Sequence, residues 1–230
     1  MRTLSIETPV HGRVLIEDAA DGFAVRLVAF HGYGQSADDI LSEVQRIPGA
    51  VAWQIVAVQG LHRFYTRTDQ QVVASWMTRQ DRELAIADNI QYVDRVLDRV
   101  TVEGGLHSGS PSVKLVFVGF SQGVAMAYRA AVRGRHRAAG MVALAGEIPP
   151  ELKTGSARSN ASTGAGDPGR WPSVLIGVGT AERWYVPEEV DADVAFLRAQ
   201  GVAHEVIRFE GGHEWTEEFR KRVGTWVEAL

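Results

Sequence analysis

Residues 119–123 of the chain read Gly-Phe-Ser-Gln-Gly, so that a serine has a glycine two positions away on either side. This pattern is typical of a sharp turn between a strand and a helix that exposes the serine hydroxyl for nucleophilic attack. An apolar run at 113–118 precedes the motif, and small and apolar residues follow it at 124–132. The motif therefore predicts Ser121 as a nucleophile. The alternative is a glycine-rich turn whose serine only caps a helix.

A serine hydroxyl is a weak nucleophile unless a base removes its proton, and in sites of this type the chain order is serine, acid, histidine. Three histidines follow Ser121 in the sequence. His136 lies among arginines at a predicted helix end, and His204 opens a predicted strand. His213 lies in a glycine-rich loop between a strand and the last helix, from which it can reach the serine. We therefore predict His213 as the general base.

The acid that orients the histidine should follow a strand at the carboxyl edge of the sheet, where ligands bind in folds of this type. Glu182 is the first carboxylate after the predicted strand at 173–178. Asp167 precedes that strand and would lie at its opposite end, and the next aspartates already belong to the following helix. Glu182 is therefore the predicted acid. The alternative is a surface glutamate that pairs with Arg183.

Two backbone N–H groups are predicted to stabilise the oxyanion that forms when the serine attacks a carbonyl group. One belongs to Gln122, directly after the nucleophile. The other lies in the sequence His-Gly-Tyr-Gly at 31–34, which follows a predicted strand. We assign it to Tyr33 and keep Gly34 as the alternative. His31 is then a structural residue and not the base.

Strand-length apolar runs alternate with longer helix-periodic segments, which predicts an α/β fold with a mostly parallel central sheet and helices on both faces. One domain is expected over residues 1–230, with little or no lid, a Gly/Ser connector at 101–112 and a flexible polar surface loop at 151–172. The predicted strands are 2–7, 13–16, 25–30, 54–58, 113–119, 140–144, 173–178 and 205–209, and the predicted helices are 37–46, 82–100, 122–133, 187–199 and 214–229.

Composition excludes several classes of function. The net charge of −4 lacks the basic excess of a general nucleic-acid binder, so no nucleic-acid partner is expected. The absence of cysteine excludes a thiol nucleophile and thiolate metal sites, and no His/Asp cluster has metal-ligand spacing. No apolar run approaches the ~20 residues that span a bilayer, and no export signal is visible. We expect a cytoplasmic protein, although a processed chain would look the same.

With these residues in place, the sequence resembles the α/β-hydrolase superfamily, and within it the phospholipase/carboxylesterase family that includes the acyl-protein thioesterases. The resemblance covers nearly the whole chain and implies hydrolysis of carboxylic esters or thioesters through an acyl-enzyme, without a cofactor. The glutamine after the serine is typical of this family. The segments that carry the resemblance are 31–34, Ser75-Trp76, 119–123, Gly-Thr-Ala-Glu at 179–182 with Val186-Pro187, and Gly-Gly-His at 211–213.

The chain departs from the family pattern in ways that bear on its substrate. The family usually has aspartate at the position of Glu182, and the aromatic loop at 183–187 is one residue longer than expected. We identify no equivalent of the apolar strip that covers the lipid tunnel of acyl-protein thioesterases. Small esters are therefore expected as substrates. A thioesterase or small peptidase with the same triad is the alternative, and a non-catalytic binding protein with a hydrolase fold is disfavoured because serine, acid and histidine are all available.

Aromatic and sulfur-containing side chains near the inferred loop edge are the predicted walls of the substrate pocket. The segment at 61–65 follows another strand end and adds a further candidate wall. The sequence does not indicate the oligomeric state, and a homodimer stays open. The predicted substrate-binding residues are Trp76, Met77, Trp184, Tyr185 and Trp215.

Overall fold

The computed structural model describes residues 1–20, 22–103, 113–154 and 170–230, with a seven-stranded sheet at its centre. A two-stranded hairpin stands outside this sheet. A short 3₁₀ turn covers Ala50–Ala52. The strands are β1 Val14–Glu17, β2 Val25–Phe30, β3 Gln54–Val58, β4 His62–Tyr65, β5 Val72–Ser75, β6 Lys114–Phe120, β7 Gly140–Leu144, β8 Ser173–Gly179 and β9 His204–Phe209. The helices are α1 Ala37–Val44, α2 Arg82–Glu103, α3 Gln122–Arg133, α4 Pro150–Lys153, α5 Pro187–Ala199 and α6 Glu217–Ala229.

The large sheet has the strand order β1-β3-β2-β6-β7-β8-β9. Its edge strand β1 runs antiparallel to β3, and the other neighbouring pairs are parallel. The inner strands are almost continuously apolar, as expected of parallel strands that are covered on both faces. Since parallel strands end at the same edge, the loops that follow β2, β6, β8 and β9 meet there.

The core divides into two layers, one on each face of the sheet, because successive side chains of a strand point in opposite directions. In β2, Val28 and Phe30 belong to the layer that packs against α2, α3 and α5, whereas Leu27 and Ala29 belong to the layer under α1 and α6. All four side chains are fully buried. The predicted fold class, a mostly parallel sheet with helices on both faces, is confirmed.

The hairpin formed by β4 and β5 was not predicted from the sequence. Its strands pair antiparallel, and β5 also contacts the loop that follows β2. The N–H of Gly34 donates to the carbonyl oxygen of Ala74 at 3.0 Å, and the N–H of Ala74 donates to the carbonyl oxygen of Gln35 at 2.8 Å. These two bonds attach the loop after β2 to the hairpin.

The strand predicted at 2–7 is wrong. This segment has no regular secondary structure, and its apolar residues Leu4 and Ile6 are 72% and 78% exposed. The sequence alternates polar and apolar residues as a strand would, but β1 at 14–17 already forms the edge of the sheet. A strand needs a hydrogen-bonded partner, and no described strand pairs with this segment.

The predicted polar loop at 151–172 is described only at its two ends, since 155–169 lie outside the described residues. At the first end, Glu151 belongs to α4 and pairs with the guanidinium of Arg129 at 2.7 Å. At the second, the ring of Trp171 packs against Tyr128 and Phe196, with centroid distances of 5.9 and 5.3 Å. Both ends are therefore packed against the domain, and the prediction of a flexible loop between them falls on residues outside the described ranges. Of the predicted connector at 101–112, the part at 101–103 continues α2 and the rest lies outside the described residues.

No helix within the described ranges is long and apolar enough to cross a membrane.

Candidate active site

Ser121 occupies the turn between β6 and α3. Its backbone has φ 53° and ψ −121°, a conformation that residues other than glycine rarely adopt. Such a conformation costs on the order of 1–3 kcal/mol and persists only where the surroundings impose it. The N–H of Ser121 donates to the carbonyl oxygen of Leu144 in β7, and its carbonyl oxygen accepts from the N–H of Val124 in α3, both at 2.9 Å. Neighbouring elements therefore hold the strained turn from both sides.

The glycines around Ser121 are required by close approach of backbone to backbone. A Cβ at Gly119 would lie 2.5 Å from the Cα of Val124, and a Cβ at Gly123 would lie 2.1 Å from the carbonyl oxygen of Phe30. Both distances are shorter than any real Cβ contact. The spacing of the sequence motif thus has a steric cause in this fold.

Glu182 and His213 lie in the loops that follow β8 and β9, and their side chains are hydrogen-bonded. The distance between His213 Nδ1 and Glu182 Oε2 is 2.8 Å. The other carboxylate oxygen accepts from the backbone N–H groups of Arg183 at 2.8 Å and Trp184 at 2.7 Å. The Glu182 side chain is only 2% exposed, so the alternative of a surface glutamate paired with the Arg183 side chain does not describe it.

Backbone contacts bring these two loops together. A Cβ at Gly179 would lie 2.4 Å from the carbonyl oxygen of Gly211, and the N–H of Ala181 donates to the same oxygen at 2.8 Å. The ring of His213 in turn lies 4.9 Å, centroid to centroid, from the ring of Phe120, the residue before Ser121. The three predicted catalytic residues, Ser121, Glu182 and His213, therefore lie near one another at the carboxyl edge of the sheet.

The bond between the two side chains also orders the histidine ring. A carboxylate can only accept a hydrogen bond, so the nitrogen that faces Glu182, Nδ1, carries a proton. In the neutral imidazole the other nitrogen, Nε2, then has a free lone pair and can act as a base. The side chain of His213 is 25% exposed, which leaves it accessible from the site.

The loop that follows β2 approaches the nucleophile directly, because a Cβ at Gly32 would lie 3.3 Å from the Cβ of Ser121. The N–H of Gly32 donates to the side-chain oxygen of Gln35 at 2.7 Å, and the N–H of Gly34 is bonded to β5. Among the described residues, none accepts a hydrogen bond from the N–H of Tyr33. Of the two predicted donors in this loop, Tyr33 therefore has the available N–H.

Gln122 is the first residue of α3. Its N–H has no acceptor in a preceding turn, since the first N–H groups of a helix lack intrahelical partners. The positive end of the helix dipole also lies here, which favours a developing negative charge. The backbone of Gln122 thus offers a second donor beside Ser121.

His31 has both ring nitrogens occupied. Nδ1 lies 2.7 Å from the carbonyl oxygen of Gly32, and Nε2 accepts from the N–H of Gly60 at 3.0 Å. The ring is fully buried, and burial lowers the pKa of His31 below that of a free imidazole. It is a neutral structural residue of the loop, in agreement with the expectation that it is not the base.

Two of the predicted pocket residues lie in the core. Trp76 is fully buried, and its indole N–H donates to the carbonyl oxygen of His31 at 2.9 Å. Tyr185 is 2% exposed, and its hydroxyl donates to Asp193 at 2.8 Å. The polar atom of each buried side chain thus has a hydrogen-bond acceptor within the protein. Their placement favours a packing role over contact with a substrate.

The other three predicted pocket residues differ in exposure. Trp215 is 9% exposed and packs against Phe219 at a centroid distance of 5.8 Å. Met77 is partly buried, with its sulfur 3.7 Å from a guanidinium nitrogen of Arg129. Trp184, in the same loop as the acid, is 79% exposed. Trp184 is the member of the predicted set that presents a large apolar surface at this edge.

Sequence reasoning missed the side chain of Gln122, which contacts the residues at the end of β5. The only sequence signal for this contact is the Ser75-Trp76 pair. The pair is one of the segments that carry the resemblance to the phospholipase/carboxylesterase family, but the sequence alone indicates no structural reason for it. Within the described ranges, no group of histidine and carboxylate side chains is arranged to hold a metal ion.

The sheet order and the strained serine turn define an α/β-hydrolase fold. A model of the Phospholipase/Carboxylesterase family matches residues 12–164, more than half of the chain. The protein belongs to this family of carboxylesterase-like and thioesterase-like hydrolases. No curated protein matches the sequence significantly.

Solved structures with this fold cover nearly the whole chain. Esterase PE8 has a TM-score of 0.71 at 19% identity and covers 96% of this chain and 100% of its own. The acyl-protein thioesterase 2 of Zea mays has a TM-score of 0.71 at 18% identity, with 95% and 99% covered. The carboxylesterase of Bacillus cereus has a TM-score of 0.67 at 16% identity, with 95% and 94% covered. At these identities the likeness shows the fold.

Proposed function

We propose that the protein is a serine hydrolase that cleaves small carboxylic esters through an acyl-enzyme intermediate on Ser121. The observation that carries the proposal is the hydrogen bond between His213 and the buried carboxylate of Glu182, at the sheet edge where the strained serine turn lies. This bond leaves the other ring nitrogen, Nε2, on the side of the ring away from the acid, where it can act as a base.

In the proposed first half-reaction, Nε2 of His213 removes the proton of Ser121 as Oγ attacks the ester carbonyl carbon. The oxyanion accepts hydrogen bonds from the N–H groups of Tyr33 and Gln122, and Glu182 stabilises the imidazolium that forms. When the tetrahedral intermediate collapses, the bond to the alcohol oxygen breaks and His213 gives its proton to that oxygen. The alcohol leaves, and the acyl group stays on Ser121.

In the second half-reaction, His213 removes a proton from water, which attacks the acyl carbon. A second oxyanion forms on the same two N–H groups, and its collapse returns the proton to Ser121 and releases the carboxylic acid. Each half-reaction restores the protonation state of the histidine. No cofactor takes part in this scheme.

Two features support small esters as the substrates. Two of the five residues expected to form an apolar wall, Trp76 and Tyr185, are buried in the core. Fewer apolar side chains are therefore left to bind a long acyl chain. Solved structures similar to this chain include an esterase and a carboxylesterase, which supports an ester as the substrate.

A thioesterase is the second candidate, because the acyl-protein thioesterase of Zea mays matches with the same TM-score as esterase PE8. Comparing an ester with the thioester of the same acyl group separates the two activities, since only the leaving group differs.

The test of the proposal is Ser121→Ala, assayed with p-nitrophenyl acetate. Turnover should fall at least about 10⁴-fold, as expected when the nucleophile of a triad is removed. Ser42→Ala is the matched control, because Ser42 lies exposed in α1 and its hydroxyl donates only to the backbone of Asp38. That variant should keep wild-type turnover. Undiminished turnover in Ser121→Ala would contradict the proposed nucleophile.

A further inference from the structure

The side-chain amide of Gln122 makes hydrogen bonds to the end of strand β5. Its oxygen accepts from the N–H of Trp76 at 3.0 Å, and its nitrogen lies 3.2 Å from both the carbonyl oxygen of Met77 and the hydroxyl of Ser75. The Ser75 hydroxyl also lies 2.8 Å from the carbonyl oxygen of Met77 and can donate to it. The donor and the acceptor of the amide are therefore both engaged by three consecutive residues.

The residue before this segment holds the loop that carries Tyr33. Ala74 exchanges backbone hydrogen bonds with that loop, accepting from Gly34 and donating to Gln35. Its neighbour Ser75 is 2% exposed and contacts the Gln122 side chain. A continuous path of short polar contacts thus runs from the Tyr33 loop through β5 to the residue that follows the nucleophile.

We propose that Gln122 is a positioning residue, whose side chain fixes the Tyr33 loop relative to its own backbone N–H so that both N–H groups face one oxygen. This rests on the proposed function, because the oxygen is the oxyanion of that reaction. The two donors belong to separate elements, the loop after β2 and the first turn of α3. A donor contributes fully only when it is held in place before the charge develops.

Glutamine suits this role because its amide supplies an acceptor and a donor on one flexible stem. A side chain of the same length without polar atoms would leave the N–H of Trp76 and the carbonyl oxygen of Met77 without this partner. An unpaired polar group in a buried position is costly, so the segment would shift to find other partners. Any such shift of β5 moves the Tyr33 loop that is bonded to it.

The test uses Gln122→Met, which keeps the length of the side chain and removes its hydrogen bonds. Gln54→Met is the matched control. Gln54 is 2% exposed, accepts from Arg26 at 2.5 Å and donates to Asp18 at 2.6 Å. It is the first residue of β3 and therefore lies at the amino-terminal ends of the parallel strands, opposite the carboxyl ends where the site lies. The control therefore removes a buried glutamine with comparable bonds from a place where no catalytic contact is lost.

Two measurements are made on each variant. In Gln122→Met, kcat for p-nitrophenyl acetate should fall about tenfold with KM within about twofold, since the loss is felt when the oxyanion forms. Hydrogen exchange of the Gly34 amide should become at least about fivefold faster, because its bond to Ala74 is loosened. In Gln54→Met, kcat and Gly34 exchange should both stay at wild-type values even where the melting temperature falls.

Unchanged Gly34 exchange in Gln122→Met, or faster exchange with unchanged kcat, would overturn the proposal. So would an equal fall of kcat in Gln54→Met, since general destabilisation would then explain the effect. A wild-type protein without ester turnover would overturn the proposed function, and Gly34 exchange would still decide whether Gln122 holds the loop. If Gln122→Met does not fold, Ser75→Ala removes one contact of the amide and should shift exchange and kcat in the same directions by smaller factors.

Discussion

The two sides of the proposed active site, called here the acid–base side and the oxyanion side after their proposed roles, are built in different ways. On the acid–base side, the loops after β8 and β9 touch through glycines, and one hydrogen bond joins Glu182 to His213. On the oxyanion side, the loop after β2 depends on the β4–β5 hairpin and on side-chain amides from Gln35 and Gln122. The first side is held by close backbone contact between the two loops, together with the hydrogen bonds that join them. The second relies on hydrogen bonds that link the loop after β2 to the hairpin and the hairpin to α3.

This difference implies different sensitivities to substitution. Removing a reacting group on the acid–base side should cost most of the activity. Changing a supporting group on the oxyanion side should displace the N–H donors slightly. The reacting groups stay present, so kcat should fall by a smaller factor. Three predictions compare the two sides, from the largest expected effect to the smallest.

Glu182→Gln tests the acid–base side with little change of shape. The new amide can donate to Nδ1 of His213 and so favours the tautomer whose proton is on Nε2, the wrong nitrogen for a base. We expect kcat to fall about 10³- to 10⁴-fold, as in serine hydrolases whose orienting acid is replaced by its amide. Steady-state kinetics with a circular-dichroism spectrum to verify folding measures this. A loss below tenfold would contradict the assignment of Glu182.

Gly179→Ala tests the steric contact between the two loops. The added Cβ would lie 2.4 Å from the carbonyl oxygen of Gly211, so the loops that carry Glu182 and His213 must separate. We expect kcat to fall on the order of 100-fold, because a displacement of about 1 Å can have this effect.

The matched control for this substitution is Gly212→Ala, in the loop of the base. The nearest atom to its added Cβ is the carbonyl oxygen of Ala181 at 3.9 Å, an ordinary contact. Activity should stay within about threefold of wild type, because a substitution that creates no clash usually changes the free energy of unfolding by less than about 0.5 kcal/mol. Equal losses in Gly179→Ala and Gly212→Ala would show that the close approach does not position the pair.

His31 predicts a pH effect on stability that belongs to the oxyanion side. Burial lowers its pKa in the folded protein, so below the ordinary imidazole pKa of about 6.5 the unfolded chain binds a proton that the fold excludes. His31 should therefore reduce the free energy of unfolding as pH falls from about 6.5, by at most about 1.4 kcal/mol per pH unit, and should have no such effect above that pH.

Urea unfolding of the wild type and of His31→Asn between pH 5 and 8 measures this effect. The variant lacks the titrating ring, so its stability should depend less steeply on pH below about 6.5. Parallel curves for the two proteins would contradict the neutral state assigned to His31.

The acid–base side was the easier one to predict from the sequence. Ser121 is marked by two glycines within one five-residue motif, and Glu182 and His213 follow from chain order and from the strands that precede them. Their placement at one sheet edge follows from the parallel sheet, whose strands β2, β3 and β7 were also predicted with the observed bounds.

The parts that were missed depend on partners that the sequence does not specify. The hairpin of β4 and β5 is one such part, because β5 forms backbone hydrogen bonds with the loop after β2, which lies far from it in the sequence. Trp76 was assigned to the pocket because it lies near the inferred loop edge, but the carbonyl oxygen of His31, 45 residues earlier in the chain, accepts its indole N–H and fixes it in the core. Pairing over such distances is decided by the fold.

The central claim is that Ser121 carries the acyl group during turnover. Wild-type protein should be mixed with p-nitrophenyl acetate, quenched in acid within the first turnover, and digested for mass spectrometry. The account predicts an acetyl group on the peptide that contains Ser121, at Ser121 itself, and its absence from Ser121→Ala treated in the same way. Turnover without an acylated Ser121, or with the acetyl group on another residue that disappears at the rate of turnover, would contradict it.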